Sequence, residues 1–185
     1  MRAIPCVEPS PAAARKRAPM TERLPSDDPS PETEASPSAG LPGVKTFVRI
    51  VDWITNEKFE LINTTDRINE IVAKSGVKNG IVHMQSLHTT TALFINEWQE
   101  ALLEDFKTLL EQVVGGEGSW RHDDPEFSDC ERKNAVSHLR GMMLGPSVSL
   151  QVRNAKVLLG TWQSIILAEL DGPRSRSVSV QVMGV

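Results

Sequence analysis

Four histidines are the residues of this 185-residue chain best suited to metal or acid-base chemistry: His83, His88, His122 and His138. A neutral imidazole binds transition metals, and it exchanges protons near neutral pH. Three imidazoles drawn together would leave a coordination position open to water or substrate, as catalytic zinc sites do and closed structural sites do not.

The spacing of these histidines means that only the fold can bring them together. His88 precedes His122 by 34 residues and His122 precedes His138 by 16, so no short motif such as H-E-x-x-H is present. His88 follows a predicted strand, His122 lies in an acidic loop and His138 lies on a predicted helix. This distribution is typical of sites built from the ends of several elements. The alternative is that each imidazole contacts a local backbone group or solvent.

Two polar groups follow the second histidine along the chain. Thr89, Thr90 and Thr91 are β-prone, and their hydroxyls are also suitable donors to the oxygens of an anion. Asn96 and Glu97 come directly before a predicted helix, where they can cap it and favour its positive end. The alternative role for Glu97 is a carboxylate near a metal that orients an imidazole or relays a proton.

The C-terminal third contains a long aliphatic run that ends in Asp-Gly-Pro. Within it Trp162 is predicted to lie in the core, which places Gln163 on the opposite face and makes it a pocket candidate. Asp171 has the position of a turn-initiating residue. Arg174 is always charged and can clamp a phosphate or carboxylate, a role that Arg176 can take instead.

The fold class follows from the order of strand and helix patterns. Because they do not alternate strictly, we predict an α+β sandwich of mainly antiparallel β-sheet with two to three helices. Hydrophobic periodicity and turn residues predict a hairpin of 44–54 and 59–62, helices at 64–76, 102–114 and 134–144, a loop at 115–129, a strand at 80–87 continued or followed by 92–95, and strands at 148–152, 157–170 and 178–182.

Two finer expectations concern the last helix and the turn after residue 153. In the last helix Leu139 and either Met142 or Met143 are predicted to point inward. Ala155 follows Asn154, which disfavours a two-residue turn with positive φ at both positions.

The domain organisation is a tail followed by one domain. Residues 1–43 hold nine of the twelve prolines and little aliphatic periodicity, so we expect a disordered extension before a single domain at 44–185. The cluster Arg15-Lys16-Arg17 raises the alternative of an organellar transit peptide, which the acidic residues after it disfavour.

Composition excludes several classes of protein. A formal charge of -4 without a basic stripe argues against a nucleic-acid binder. Two cysteines cannot form a disulfide framework, which suits a reducing compartment. Because no apolar run is long enough to span a bilayer, we expect no membrane partner and a cytoplasmic protein.

Several separated motifs together resemble the YjbQ-like family, whose members are often labelled secondary thiamine-phosphate synthases. The resemblance covers 44–185. It rests on His88-Thr89-Thr90-Thr91-Ala92-Leu93-Phe94-Ile95-Asn96-Glu97, Trp120-Arg121-His122, Asn134 with Ser137-His138-Leu139, Gly145-Pro146-Ser147, Gly160-Thr161-Trp162-Gln163 and Asp171-Gly172-Pro173-Arg174.

The resemblance implies the same α+β architecture, assembled as a homotrimer with pockets near subunit boundaries. It places His88, His122 and His138 at one metal-binding pocket, where imidazole ligands favour zinc. On this basis the predicted catalytic residues are Glu97 and His122. The predicted substrate-binding residues are Thr89, Thr90, Asn96, Gln163 and Arg174.

The implied activity is that of an enzyme on a small phosphorylated metabolite. A thiamine-phosphate synthase would join a pyrimidine diphosphate to a thiazole phosphate, and Mg²⁺ would accompany such a diphosphate substrate. The chain lacks a Gly-rich phosphate loop and an Asp-rich magnesium motif, so we expect this activity to be secondary. The alternatives are a metal-dependent hydrolase and a non-catalytic metal- or metabolite-binding trimer.

Overall fold

The computed structural model describes residues 43–115 and 118–185. Eight strands, three helices and one 3₁₀ helix follow one another in this part of the chain. They are β1 Lys45–Ile54, β2 Glu60–Asn63, α1 Thr65–Ser75, β3 Asn79–Ser86, β4 Thr91–Glu97, α2 Glu100–Val113, the 3₁₀ helix Arg121–Asp123, α3 Ala135–Leu144, β5 Ser147–Arg153, β6 Lys156–Val157, β7 Gln163–Glu169 and β8 Ser175–Gly184.

Two antiparallel sheets share one hydrophobic core. The larger sheet has the order β1-β8-β3-β5-β6, and the smaller sheet has the order β2-β7-β4. Val82 and Val180 of the larger sheet belong to the same buried cluster as Leu93 and Leu167 of the smaller sheet. Helix α1 adds its apolar stripe of Ile68, Ile71 and Val72, as its 3.6-residue periodicity predicts. The predicted α+β class with antiparallel sheets is confirmed.

Strand β7 is buried on both of its faces, and this explains its uninterrupted apolar run. Residues 165–170 are all buried. One face packs into the shared core, while Ala168 and Leu170 form a second cluster with Ala92 and Leu144. Helix α2 reaches this second cluster through Phe106, whose ring centroid lies 5.0 Å from that of Phe94.

The predicted hairpin of the first two strands is wrong. Strand β1 pairs with β8, whereas β2 pairs with β7 of the other sheet. The chain crosses between the sheets at Thr55, whose backbone N–H donates to the carbonyl of Arg174 (3.1 Å). Both strands have inward-facing apolar residues, so their pattern alone does not distinguish a hairpin from a crossing between two sheets.

The predicted strand 157–170 is two strands with a turn between them. Strand β6 ends at Val157 and β7 begins at Gln163. The turn closes where the Gly160 N–H donates to Oε1 of Gln163 (2.8 Å). Trp162 therefore lies outside the core with 72 % of its surface exposed, contrary to the prediction.

Two further predictions are corrected. Met142 and Met143 are 74 % and 53 % exposed, so neither points inward from α3. Asn154 and Ala155 do form a two-residue turn with positive φ, 53° and 57°. The pairing of Arg153 with Lys156 closes that turn, and the Ala155 N–H donates to the carbonyl of Lys78 (3.0 Å). These contacts offset the cost of a left-handed alanine.

The predicted extension 1–43 lies, except for Gly43, outside the described residues. In the part of the chain that the structure describes, no helix has the length and apolar character needed to cross a membrane.

Candidate functional site

His122 and His138 lie edge to face, with ring centroids 4.9 Å apart and an interplanar angle of 86°. His122 is the central residue of the 3₁₀ helix, and His138 lies in the first turn of α3. A hydrogen bond joins these two elements, because the Ala135 N–H donates to Oδ1 of Asp123 (2.9 Å). The contact uses one of the free N–H groups at the start of α3 and fixes the two imidazoles relative to each other.

A pocket of about 280 Å³ lies beside this pair. It is lined by Trp120, Arg121, His122, Ala135, His138 and Leu139. Nε1 of Trp120 and Nε2 of His122 are buried and have no hydrogen-bond partner among the described residues. Unpaired buried polar atoms are costly, so a nitrogen left in this state at a pocket is a candidate for contact with a ligand.

The indole of Trp120 lies directly against Gly118. A Cβ at residue 118 would lie 2.4 Å from Cε2 of the indole, which no side chain tolerates. Glycine is therefore needed at this position for Trp120 to line the pocket.

The surroundings of His138 favour the neutral form of its imidazole. Burial lowers its pKa, and the neighbouring His122 lowers it further. Asp171 and Asp123 act in the opposite direction through their negative charge. A neutral imidazole has a lone pair, so His138 is suited to bind a metal or accept a proton at neutral pH.

His88 lies in the loop between β3 and β4, and it is outside the residues that line the pocket. Its Nε2 accepts a hydrogen bond from the backbone N–H of Ser177 (2.8 Å). Burial lowers the pKa of His88, the nearby Arg176 guanidinium lowers it further, and Glu169 and Asp52 oppose them. In the neutral ring that accepts through Nε2, the proton is on Nδ1.

A buried ion pair lies next to His88 and joins the two sheets. Glu169 of β7 and Arg176 of β8 are fully buried and share two contacts of 2.5 Å. Glu169 also accepts from the hydroxyl of Thr55 (2.9 Å) and from the backbone N–H of Asp171 (2.8 Å). Arg176 also donates to Oγ1 of Thr90 (3.1 Å). Arg176 is thus committed to a protein carboxylate, which leaves Arg174 as the anion-binding candidate.

One carboxylate oxygen of Asp171 contacts three other side chains. Its Oδ2 accepts from Nδ2 of Asn134 (2.8 Å) and Nη2 of Arg174 (3.4 Å), and it lies 3.7 Å from Nη1 of Arg132. Because its backbone also contacts Glu169, Asp171 connects the buried ion pair to the start of α3. His88, the ion pair, Asp171 and the histidine pair therefore share one end of the sandwich.

The other predicted site residues divide between two ends of the smaller sheet. Thr90 contacts the ion pair and Thr89 is exposed nearby. Glu97 pairs with Gln163 six residues along β4 from the pairing of Thr91 with Glu169. At about 3.4 Å per residue, this separation is about 20 Å. Within one chain, Asn96, Glu97 and Gln163 are thus remote from the histidines.

The side chains at that remote end make local contacts. Oδ1 of Asn96 accepts from the backbone N–H of Glu97 (2.9 Å), and Oε1 of Gln163 accepts from that of Gly160. Gln99, not Asn96, caps α2 through its side chain. Among the described residues of one chain, no group of three His, Cys, Asp or Glu side chains is positioned to hold a metal ion. The three-histidine metal site therefore stays a prediction.

Residue types alone did not single out Trp120, Asp123, Glu169 and Arg132 as neighbours of the site. Trp120 precedes the predicted His122 by two residues, and that adjacency was the available signal. No such signal exists for Glu169, because a carboxylate at the end of an apolar strand is equally typical of a solvent-exposed turn.

Comparison with known proteins places residues 50–185 in a family described as UPF0047 protein YjbQ-like. A UPF0047 protein of Methanothermobacter thermautotrophicus is 42 % identical over 130 residues, which cover 70 % of this chain and 87 % of that protein. YugU, a UPF0047 protein of Bacillus subtilis, is 28 % identical over 131 residues, covering 70 % of this chain and 94 % of that protein.

Solved structures show the same fold. A YbjQ-like protein of unknown function from Sulfolobus solfataricus is 36 % identical, with a TM-score of 0.71 over 77 % of this chain and 99 % of that one. A hypothetical protein from Aeropyrum pernix is 28 % identical, with a TM-score of 0.67 over 75 % of this chain and 98 % of that one. The chain thus belongs to the family of UPF0047, YjbQ-like proteins.

Proposed function

We propose that this chain is a metal-dependent enzyme that acts on a small phosphorylated metabolite, with His122 and His138 as two of its metal ligands. The observation that supports this most is the buried, unpaired Nε2 of His122 next to the neutral imidazole of His138 at the edge of a pocket. Neutral imidazole nitrogens without a protein partner are the donors that zinc prefers.

The third ligand in this proposal is His88. Its Nε2 would give up the hydrogen bond from Ser177 to bind the metal. Leaving the Ser177 N–H without its acceptor costs about 1–3 kcal/mol, which is little compared with the free energy of zinc binding. A bound divalent ion would supply Lewis-acid chemistry to a phosphoryl or pyrophosphoryl group. Zinc is the proposed resident metal, and Mg²⁺ would accompany a diphosphate substrate.

The proposed active unit is a homotrimer. Glu97, with Asn96 and Gln163, lies about 20 Å from the end of β4 nearest the histidines, too far to exchange a proton within one chain. A neighbouring copy that presents this end to the histidine pocket would bring the predicted catalytic and substrate-binding residues together. Contact between copies would also cover Trp162, the most exposed tryptophan at that end.

On the substrate side, Arg174 is the proposed phosphate ligand. Its guanidinium contacts Asp171 close to α3, and the side chain remains 34 % exposed. A thiamine-phosphate synthase activity needs such a cation to neutralise departing pyrophosphate, and we propose it as a secondary activity.

The second candidate is a non-catalytic trimer that binds a metal or metabolite. The observation in its favour is the same separation of Glu97 from the histidines in one chain. Without a neighbouring copy, the histidine pocket would have its metal ligands but not the predicted catalytic carboxylate of Glu97.

Turnover assays test the proposal. The purified chain should release phosphate or pyrophosphate from a panel of small phosphorylated metabolites, or join the two thiamine-phosphate precursors. His122→Ala and His138→Ala should lower kcat/KM by at least about 100-fold, because losing a metal ligand should cost no less than losing the outer-shell partner of one. His83→Ala is the matched control, because His83 is on the outer face of the larger sheet, bonded to Ser149 (2.8 Å). Metal binding without turnover of any substrate would favour the non-catalytic candidate.

A further inference from the structure

Two arginines converge on a single carboxylate at the start of α3. Arg174 and Arg132 lie 3.4 Å and 3.7 Å from Oδ2 of Asp171, and Asn134 donates to the same oxygen. Arg132 comes from the loop before α3, whereas Arg174 comes from the turn before β8. Chain segments from two parts of the fold therefore bring their cations to one place.

Two guanidinium groups contact one carboxylate at this place. Asp171 is the one carboxylate within 4 Å of either guanidinium in the described part of the chain. The neighbouring Glu169 is already paired with Arg176. Arg132 and Arg174 thus share a single contacting carboxylate, and neither has an acidic partner of its own among the described residues.

Both guanidinium groups keep donors for a ligand. A guanidinium has five N–H donors, and each of these directs one nitrogen toward Asp171. The side chains of Arg132 and Arg174 are 43 % and 34 % exposed, while Asp171 beneath them is 11 % exposed. The carboxylate therefore holds two guanidinium groups close together while both side chains keep part of their surface open to a ligand.

This arginine cluster, formed by Arg132 and Arg174 around Asp171, lies next to the pair of His122 and His138. Asn134 immediately precedes α3, and His138 lies one helical turn further on. Asp171 is near enough to His138 for its charge to act on that imidazole. An anion held by the two arginines would thus lie next to the pocket.

We propose that Arg132 and Arg174 together form a subsite for the phosphoryl group of the substrate, with Asp171 and Asn134 as the positioning residues. The inference deepens the proposed function and rests on it. The planar guanidinium group matches the geometry of phosphate and carboxylate oxygens. Two guanidinium groups bind most favourably to a group that carries two negative charges. A phosphoryl group meets this condition, whereas a single carboxylate does not.

Titration calorimetry of the full chain with inorganic pyrophosphate and with succinate tests this subsite. We expect pyrophosphate to bind at millimolar or lower concentration and more tightly than succinate. Arg132→Gln and Arg174→Gln should each weaken it by about tenfold or more, because each removes charge-assisted hydrogen bonds. Arg153→Gln, at the end of β5, is the matched control and should bind as the parent does.

Two further measurements separate the outcomes. Bound metal should be the same in the parent and in the arginine variants, so a failed subsite would not count against the histidine site. Arg132 is exposed, and its variant should melt at the temperature of the parent. Unchanged pyrophosphate affinity in Arg132→Gln, no pyrophosphate binding by the parent, or equal binding of succinate would each overturn the subsite.

Discussion

At the scale of single residues, burial favours the neutral form of two of the three predicted histidine ligands. His88 and His138 both have lowered pKa values, and burial is the main cause for each. They differ in the use of their lone pairs. Nε2 of His88 already accepts from Ser177. This difference predicts that the pair of His122 and His138 binds metal first and that His88 joins by giving up a backbone contact.

The lowered pKa of His88 predicts an acid-sensitive fold. Between its ordinary pKa of about 6.5 and its lowered folded value, the unfolded chain binds the proton more readily. The contribution of the neutral His88 to the free energy of unfolding is therefore fully present above about pH 6.5. It is lost as the pH falls through this window. Protonation of Nε2 would also remove the acceptor for the Ser177 N–H.

Urea unfolding of the metal-free chain at several pH values between 7 and 5 measures this effect. His88→Gln has no titrating ring, so it should lose less stability over that range than the parent. An equal loss in both proteins would show that His88 does not contribute to the acid sensitivity.

At the scale of elements, the link between β7 and β8 organises the candidate site. Glu169 and Arg176 face each other from the two sheets and are separated along the chain by the turn that carries Asp171 and Arg174. Four hydrogen bonds satisfy the Glu169 carboxylate. The turn is thereby fixed between the His88 loop and α3.

Breaking this pair should strongly destabilise the fold. Glu169→Ala would leave the Arg176 guanidinium buried without its counter-charge, at a cost of about 3–5 kcal/mol in the free energy of unfolding. The double variant Glu169→Leu with Arg176→Met removes both charges and should be more stable than Glu169→Ala alone. Urea unfolding checks both values, and a loss below about 1 kcal/mol in Glu169→Ala would contradict the buried pair.

Most elements could be predicted from sequence because their patterns are local. Helix α1 follows from the spacing of Ile68, Ile71 and Val72 and from the left-handed Gly76 that ends it. Pairing between strands is not local, and the β1–β2 hairpin was mispredicted for that reason. Trp162 was predicted to lie in the core because the fourteen residues 157–170, which are largely aliphatic, resemble one continuous strand. Their pattern does not indicate the turn at Gly160.

The site was predictable in part for a similar reason. The three predicted metal ligands and Arg174 are residue types whose chemistry is evident, and all four side chains lie at one end of the sandwich together with Asp171. The contact between Asp123 and the start of α3 depends on a turn that no sequence pattern specifies. The remote position of Glu97 depends on strand register, which a strand pattern does not give either.

At the scale of the whole molecule, the proposed trimer predicts that one active site uses residues from two copies. A Glu97→Gln chain and a His138→Ala chain should each be inactive alone. After they are mixed and reassembled, some sites would combine an intact Glu97 with an intact His138, and activity should return to a fraction of that of the parent. Sedimentation should give the mass of three chains. A single-chain mass, or no recovery on mixing, would contradict the shared site.

The amount of metal bound to the purified chain, measured by elemental analysis, tests the proposed histidine site most directly. We expect close to one zinc or other transition metal ion per chain in the parent and in His83→Ala, and loss of that metal in His88→Ala, His122→Ala and His138→Ala. Circular dichroism of each variant would confirm that it is folded. A folded His122→Ala or His138→Ala chain that keeps the metal content of the parent would contradict the claim that these two histidines form the metal site.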